Sequence, residues 1–232
     1  MTGFEEFPQD WQRALVLVAH PDDPEYGMAA AVAEWVAAGK EVSYVLATRG
    51  EAGIAGLAPA ESGPLRVQEQ WDACAHVGVT DLVFLDHPDG RIEEGLGLRR
   101  DFAREIRRVK PDLVLTLNHR DEWGQGRWNT ADHRAVGRAV LDAVGDADND
   151  WIFPELLEEG LPRHKARWVA VMSPRPTHAQ AVSPGSIEKA VASLAEHKEY
   201  MRALSDMPVE DQARAQTEMV TEGGKVAFEL YG

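Results

Sequence analysis

The segment His20-Pro21-Asp22-Asp23-Pro24-Glu25 places one imidazole and three carboxylates within six residues. That density of acid would repel a nucleotide phosphate, and the G-x-G-x-x-G turn that admits a pyrophosphate is missing at this point. The same composition suits a divalent cation. His20 and Asp23, three apart across a proline-constrained turn, can aim a ring nitrogen and a carboxylate oxygen at one point. Further donors stand in Asn118-His119-Arg120-Asp121-Glu122 and in Asn129-Thr130-Ala131-Asp132-His133. Each residue also has a plain structural reading. An Asp after a strand commonly caps the next helix, and Asp132-His133 fits a first-turn acid followed by a surface histidine. What favours metal is the crowding of a histidine and two acids at the end of a strand that has no other polar residue.

These groups need a scaffold that brings two distant loops together. Residues 14–19 (ALVLVA) are apolar throughout, as expected of a strand covered on both faces. Residues 41–48, 82–85, 112–117 and 167–172 predict further strands. Helices are predicted over 28–38, 64–76, 98–109, 131–144 and, as one long element, 186–204, with Pro64 opening the second of them. Residues 86–90 predict a turn, and the segment after Ser205 has no clear pattern. Strands alternating with helices predict an α/β, Rossmann-like three-layer fold with a mainly parallel central sheet. Ligands then bind outside the carboxyl ends of the strands, which selects the loops after Ala19, Thr48, Leu85 and Leu117. The chain, 1–232, reads as one domain, with 1–150 the Rossmann-like core and 151–232 its C-terminal part.

The composition is that of a globular protein: 232 residues, 44% hydrophobic and 27% charged. A net charge of −15 argues against nucleic acid or an anionic membrane as partner. No apolar run approaches the roughly 18 residues needed to span a bilayer, and residues 1–9 carry two acids and no basic leader, so the expected location is the cytoplasm. The single cysteine, Cys74, falls in a helical apolar pattern and reads as packed. A metal site must therefore draw on His, Asp and Glu.

Ala-His-Pro-Asp-Asp after the first strand, with Asp132-His133 opening a later helix, resembles the LmbE-like (PIG-L) family of zinc-dependent N-acetylglucosamine deacetylases. The resemblance extends to Thr48-Arg49-Gly50-Glu51-Ala52-Gly53, to Arg66-Val67-Gln68-Glu69, to Asp89-Gly90 and, more loosely, to residues 189–197. It implies Zn2+ held by His20, Asp23 and His133, although Fe2+ or another divalent ion could occupy the same ligands. It further implies Asp22 as the catalytic base, and Glu51 and Arg66 at positions that contact substrate or shape the pocket. Asp89 belongs to a turn lining that pocket, with His87 beside it read as part of the turn and not as a second metal site. The chemistry is consistent: three protein ligands leave a position for a water of pKa about 7, and Asp22, unable to join its neighbour on the same ion without strain, is free to move protons. The implied reaction removes an N-acetyl or other acyl group from an amino sugar or sugar conjugate. The alternatives are a metal- or carbohydrate-binding protein without turnover, or an amidase acting on a thiol-sugar conjugate. A homo-oligomer is left open, with the segment after Ser205 as a candidate interface.

One departure stands out. The family motif places a histidine, a helper of the oxyanion, where this chain has Thr130. His119, His178, the Thr130 hydroxyl and the Asn129 amide are the candidate replacements, and Asp132 is freed to orient a metal ligand. The loop 118–129, with Trp123 and Trp128 among Gly, Asn and Arg, reads as a lid suited to a sugar ring. Gly50, Gly53 and Gly56 read as a mobile loop.

Overall fold

Strand β2 (Arg13–Val18) is buried from Ala14 onward, because its side chains are apolar on both faces. The computed structural model in which it lies describes residues 3–124 and 126–232. Met1 and Thr2, in the stretch scanned for a leader, and Gln125, in the expected lid, lie outside the described residues. β2 pairs in parallel with β3 (Glu41–Leu46) on one side and β5 (Leu113–Thr116) on the other, with Leu17 opposite Val45 and Leu15 opposite Val114. β4 (Asp81–Phe84) extends the sheet beyond β3, and β6 (Trp168–Val171) beyond β5, all parallel. β8 (Lys225–Tyr231) runs antiparallel between β6 and β7 (His178–Ala181), and the two-residue β1 (Glu5–Glu6) closes that edge. Among the described residues this is one eight-stranded sheet of order β1-β7-β8-β6-β5-β2-β3-β4. The expected α/β fold is present. The chain switches direction across the sheet at β2, so the loops after β2 and β5 flank one crevice.

Helices cover the sheet: α1 (Asp23–Gly27), α2 (Ala29–Ala37), α3 (Pro59–Val77), α4 (Leu96–Val109), α5 (Ala131–Ala147), the short α6 (Glu155–Glu158), α7 (Pro184–Ala195), α8 (Lys198–Leu204) and α9 (Val209–Val220). α3 starts earlier than expected. Pro59 takes its first turn, and Pro64 sits inside at the loss of a single backbone hydrogen bond. The expected long helix over 186–204 is two helices, α7 and α8, broken at His197, whose backbone leaves the helical region (φ −75°, ψ 53°) as its ring packs in the core. The segment after Ser205 resolves into α9 and β8. β8 is seated by an aromatic cluster, Phe228 against Phe7 and Trp35 with ring centroids 5.4 and 6.0 Å apart.

Candidate metal and catalytic site

The turn leaving β2 carries the densest chemistry. Asp23 Oδ2 accepts the backbone N–H groups of Ala19 and His20 at 3.0 and 2.7 Å, which points its other oxygen, Oδ1, at His133 Nε2, 3.0 Å away. His133 is placed by the first turn of α5, whose N-cap Thr130 accepts the His133 N–H at 3.2 Å. His20, Asp23 and His133 thereby offer donor atoms that all lie within 4.8 Å of one another. That spread fits a single ion with bonds of about 2 Å, and the His2Asp set leaves coordination open for a water or substrate.

The other face of the His20 ring is anchored. Its Nε2 lies 3.1 Å from both Asp132 Oδ2 and Asp89 Oδ1. Asp132 is fixed in turn by the N–H groups of Gly90 and Ile92 at 2.7 and 3.1 Å, and Asp89 by the N–H of Ala52 at 2.8 Å. Asp132 therefore stands behind a candidate metal-ligating histidine, the arrangement that sets ring orientation and tautomer. Burial opposes charge on all these groups, yet their mutual contacts prevail. Asp23 is held far below the usual carboxylate range by His133 and His20, Asp89 and Asp132 are lowered by His20, and His20 is raised by the three acids. So much negative charge around one small volume is what a bound cation would neutralise.

Asp22 differs from its neighbour. It is buried and holds a left-handed backbone (φ 87°, ψ −27°), rare for a residue with a side chain. Its N–H donates to Gln70 Oε1 at 2.9 Å, and its Oδ1 lies 3.2 Å from Arg66 Nη2. Burial pushes the Asp22 carboxyl upward, and Asp23 adds to this against the opposing Arg66 charge, so it is a better proton acceptor than a free aspartate. Arg66, buried on α3, lies 3.8 Å from the Tyr200 ring centroid. Gly50 and Gly53 were expected to form a mobile loop. Here a Cβ at either would overlap the Arg66 guanidinium, so these glycines make room for it.

His20, Asp22, Asp23, Arg66, Asp89, Thr130 and His133 line one cavity of about 690 Å³. Other expected site residues lie elsewhere. His119 packs on α5, where a Cβ on Gly137 would come within 2.9 Å of its Cα, and it does not line the cavity. His178 is on β7, separated from β2 by β8, β6 and β5, with Nε2 3.6 Å from Glu5. Trp128 is 65% exposed and stacks against Arg134 at 4.9 Å, while Trp123 takes the cavity wall. Glu51 supports the wall from behind by accepting the Asp89 N–H at 2.9 Å. Asn129 spends its amide on the carbonyls of Asn118 and Arg120 and its oxygen on Trp123 and Thr130, so it staples the loop and has no donor left for a substrate. His87 faces Asp101 at 3.2 Å. Of the four candidate oxyanion donors, only Thr130 faces the cavity.

Sequence reading counted Glu25 only among the three carboxylates after β2, and it gave no role to Gln70, His197 or Tyr200. Gln70 Nε2 reaches both Glu25 oxygens at 3.2 Å, and Glu25 Oε2 lies 3.3 Å from His197 Nε2, all buried. A signal existed on α3. Arg66, Gln70, Ala73, Cys74 and Val77 share its buried stripe, so two polar residues on a core-facing stripe demanded partners.

The family described as "PIG-L: GlcNAc-PI de-N-acetylase" matches residues 15–144 of this chain. A 1D-myo-inositol 2-acetamido-2-deoxy-alpha-D-glucopyranoside deacetylase of Nakamurella multipartita is 33% identical over 183 residues, covering 65% of this chain and 60% of that protein. For two further curated relatives of the same name, from Thermomonospora curvata and Streptomyces scabiei, the alignments cover 64% and 52% of their length. Among solved structures, an N,N'-diacetylchitobiose deacetylase from Pyrococcus horikoshii superposes with a TM-score of 0.83 at 20% identity, over 96% of this chain and 85% of that one. A 4-carboxy-2-hydroxymuconate hydratase from Pseudomonas putida superposes with a TM-score of 0.68 at 20% identity, over 94% and 95%. These structures share the fold, and the fold hosts more than one chemistry.

Proposed function

We infer the function from one premise: the chain belongs to the PIG-L family, whose model spans more than half of it. From that premise we propose a zinc-dependent hydrolase that removes an N-acetyl group from an amino sugar joined to a second group, the kind of substrate named for its inositol-conjugate relatives. The observation that carries the reading is the convergence of His20, Asp23 and His133 donors within 4.8 Å, with the buried, raised carboxyl of Asp22 in the same cavity.

A divalent ion held by His20, Asp23 and His133 would polarise an amide carbonyl and lower the pKa of a water to about 7. The protein's own groups do the rest. Asp22 takes the proton of the attacking water and delivers it to the departing amine, and Arg66 and Gln70 keep that carboxyl aimed while it does so. Thr130 Oγ1 accepts from the His133 N–H, which leaves its own proton to donate into the cavity toward the carbonyl oxygen. Asp132 and Asp89 hold the His20 ring through Nε2, leaving Nδ1 toward Asp23 and the metal position.

The test is elemental analysis of protein purified without chelator or metal-affinity resin, beside a His133→Ala variant, followed by a screen of N-acetylated amino-sugar conjugates for released amine. Near-stoichiometric zinc that falls in the variant, with amine released, supports the reading. Zinc without release from any conjugate would leave a binding protein, and no metal after zinc is added back would overturn the site.

A further inference from the structure

The cavity is chemically two-sided. One side is the charged cluster just described. The other is built by residues outside the family match, from the end of β6, from α8, α9 and β8: Met172, Leu204, Met219, Val220, Val226 and Ala227. Two of the polar side chains on this wall are already engaged. Gln216 donates to the Tyr26 carbonyl at 2.7 Å, and Ser173 donates to Glu229 at 2.7 Å. The floor is apolar as well, because Gly27 has no Cβ and the Met172 sulfur fills that place. At the mouth, Leu204 and Met219 are 53% and 61% exposed, an arrangement that leaves large apolar side chains to water beside a charged centre.

A substrate made only of hydroxylated sugar and acetyl would leave this wall without a partner. We propose that the cavity takes an amino-sugar amide carrying an apolar group of several carbons, and that this group lies against Met172, Leu204, Met219, Val220 and Val226. The proposal rests on the hydrolase reading for the placement of the amide and on the wall for the apolar group. Two sources share this chemistry: an acyl chain longer than acetyl on the nitrogen, or an alkyl or aryl aglycone on the sugar. The cavity, about 690 Å³, has room for a ligand well beyond a single N-acetylated sugar.

Two substrate series separate the sources: N-acyl glucosamines from acetyl to hexanoyl, and N-acetylglucosaminides from methyl to hexyl, with the zinc-loaded protein. Burying a methylene is worth about fourfold in affinity (about 0.8 kcal/mol converted at RT). kcat/KM should rise by roughly that factor per carbon over the first few carbons of one series. A rise in the first series assigns the wall to the acyl chain, and a rise in the second assigns it to the aglycone. Met219→Asp should flatten whichever slope is found. Flat slopes in both series, with acetyl removed equally well throughout, overturn the apolar site and leave the hydrolase reading intact. Calorimetric binding of hexyl and methyl glucosaminide, which needs no turnover, keeps the two readings apart. If no substrate is hydrolysed but the hexyl compound binds at least tenfold more tightly, the hydrolase reading fails and the apolar site stands. Equal binding of that pair, together with equal binding of N-hexanoyl and N-acetyl glucosamine, overturns the site as well.

Discussion

The backbone N–H of Asp22 donates to the side-chain oxygen of Gln70 at 2.9 Å, across 48 residues of sequence. The same amide turns its nitrogen to both oxygens of Glu25, which faces His197. Asp22 occupies a left-handed backbone conformation that costs on the order of 1–3 kcal/mol for a residue with a side chain. Such strain persists only where surrounding contacts determine it. Here a glutamine on α3, an acid on α1 and the histidine at the break between α7 and α8 do so from three directions.

Gln70→Leu keeps the volume of this link and removes its polar atoms. The Asp22 N–H and the Glu25 carboxylate then lose buried partners, at about 1–3 kcal/mol of stability. With the Asp22 carboxyl no longer aimed, kcat should fall by tenfold or more while KM changes little, and bound zinc should persist. Steady-state kinetics with thermal melts checks this. A lowered Tm with unchanged kcat would reduce Gln70 to a packing role.

Asp22→Asn removes the proton acceptor and nearly preserves shape. Burial raises both carboxyls, but it prevails only at Asp22, whereas at Asp23 the two histidines outweigh it and hold the group ionised, so the two neighbours have opposite duties. Turnover should drop by about 10²–10⁴ with metal content unchanged. Intact activity in the variant would mean that another group is the base.

Asp132→Asn tests the support behind His20. Losing the carboxylate 3.1 Å from Nε2 loosens the ring's orientation and tautomer, and affinity for zinc should weaken by about 10–100-fold. Competition against a chelator of known affinity measures it. No change would show that Asp89, at the same distance, suffices alone.

The parts of this site that were legible in the sequence are those in which one short segment holds both the scaffold signal and the chemistry. The apolar β2 ending in His20-Pro21-Asp22-Asp23 is one, and α5 opening at Thr130 with Asp132 and His133 is the other. What was illegible depends on contacts between distant segments. His119 and His178 were candidates by type, but α5 turns the first away and sheet order removes the second. The break at His197 has no local cause, since proline and glycine are missing there. It comes from a buried partner 172 residues away. β8 was overlooked although Lys225–Tyr231 has the alternation of a half-covered strand, because helix α9 before it gave no frame for an antiparallel return.

Thr130→His restores the side chain that the family motif carries at a position facing the cavity. An oxyanion donor is typically worth about 10²–10³ in kcat, and an imidazole carrying a proton is a stronger donor than the neutral Thr130 hydroxyl it replaces, so the exchange should raise kcat at least tenfold even in surroundings not shaped for it. The same change removes the hydroxyl that caps α5 at the His133 N–H, lowering stability by about 1 kcal/mol. Measuring kcat and Tm on one preparation separates these opposite effects. An unchanged kcat would mean that the Thr130 hydroxyl already serves the oxyanion as well as a histidine would.

Glu229 offers a pH test away from the candidate metal site. This residue of β8 receives both arms of Arg120, at 2.6 and 2.7 Å, and the hydroxyls of Ser173 and Tyr231 at 2.7 and 2.8 Å, so it anchors the root of loop 118–129 to the sheet. Burial opposes its charge, but these four donors outweigh that and lower its pKa from 4.5 to about 2. Because the folded value lies below the unfolded one, the carboxylate's contribution is full above about pH 4.5 and is lost as pH falls toward 2. Its ceiling is about 3 kcal/mol at 1.36 kcal/mol per unit. Glu229→Gln should therefore be less stable than the parent in urea at pH 7, with the gap narrowing steadily between pH 4.5 and 2. A gap that stays constant over that interval would show that shape, and not the ionised carboxylate, holds the loop to β8.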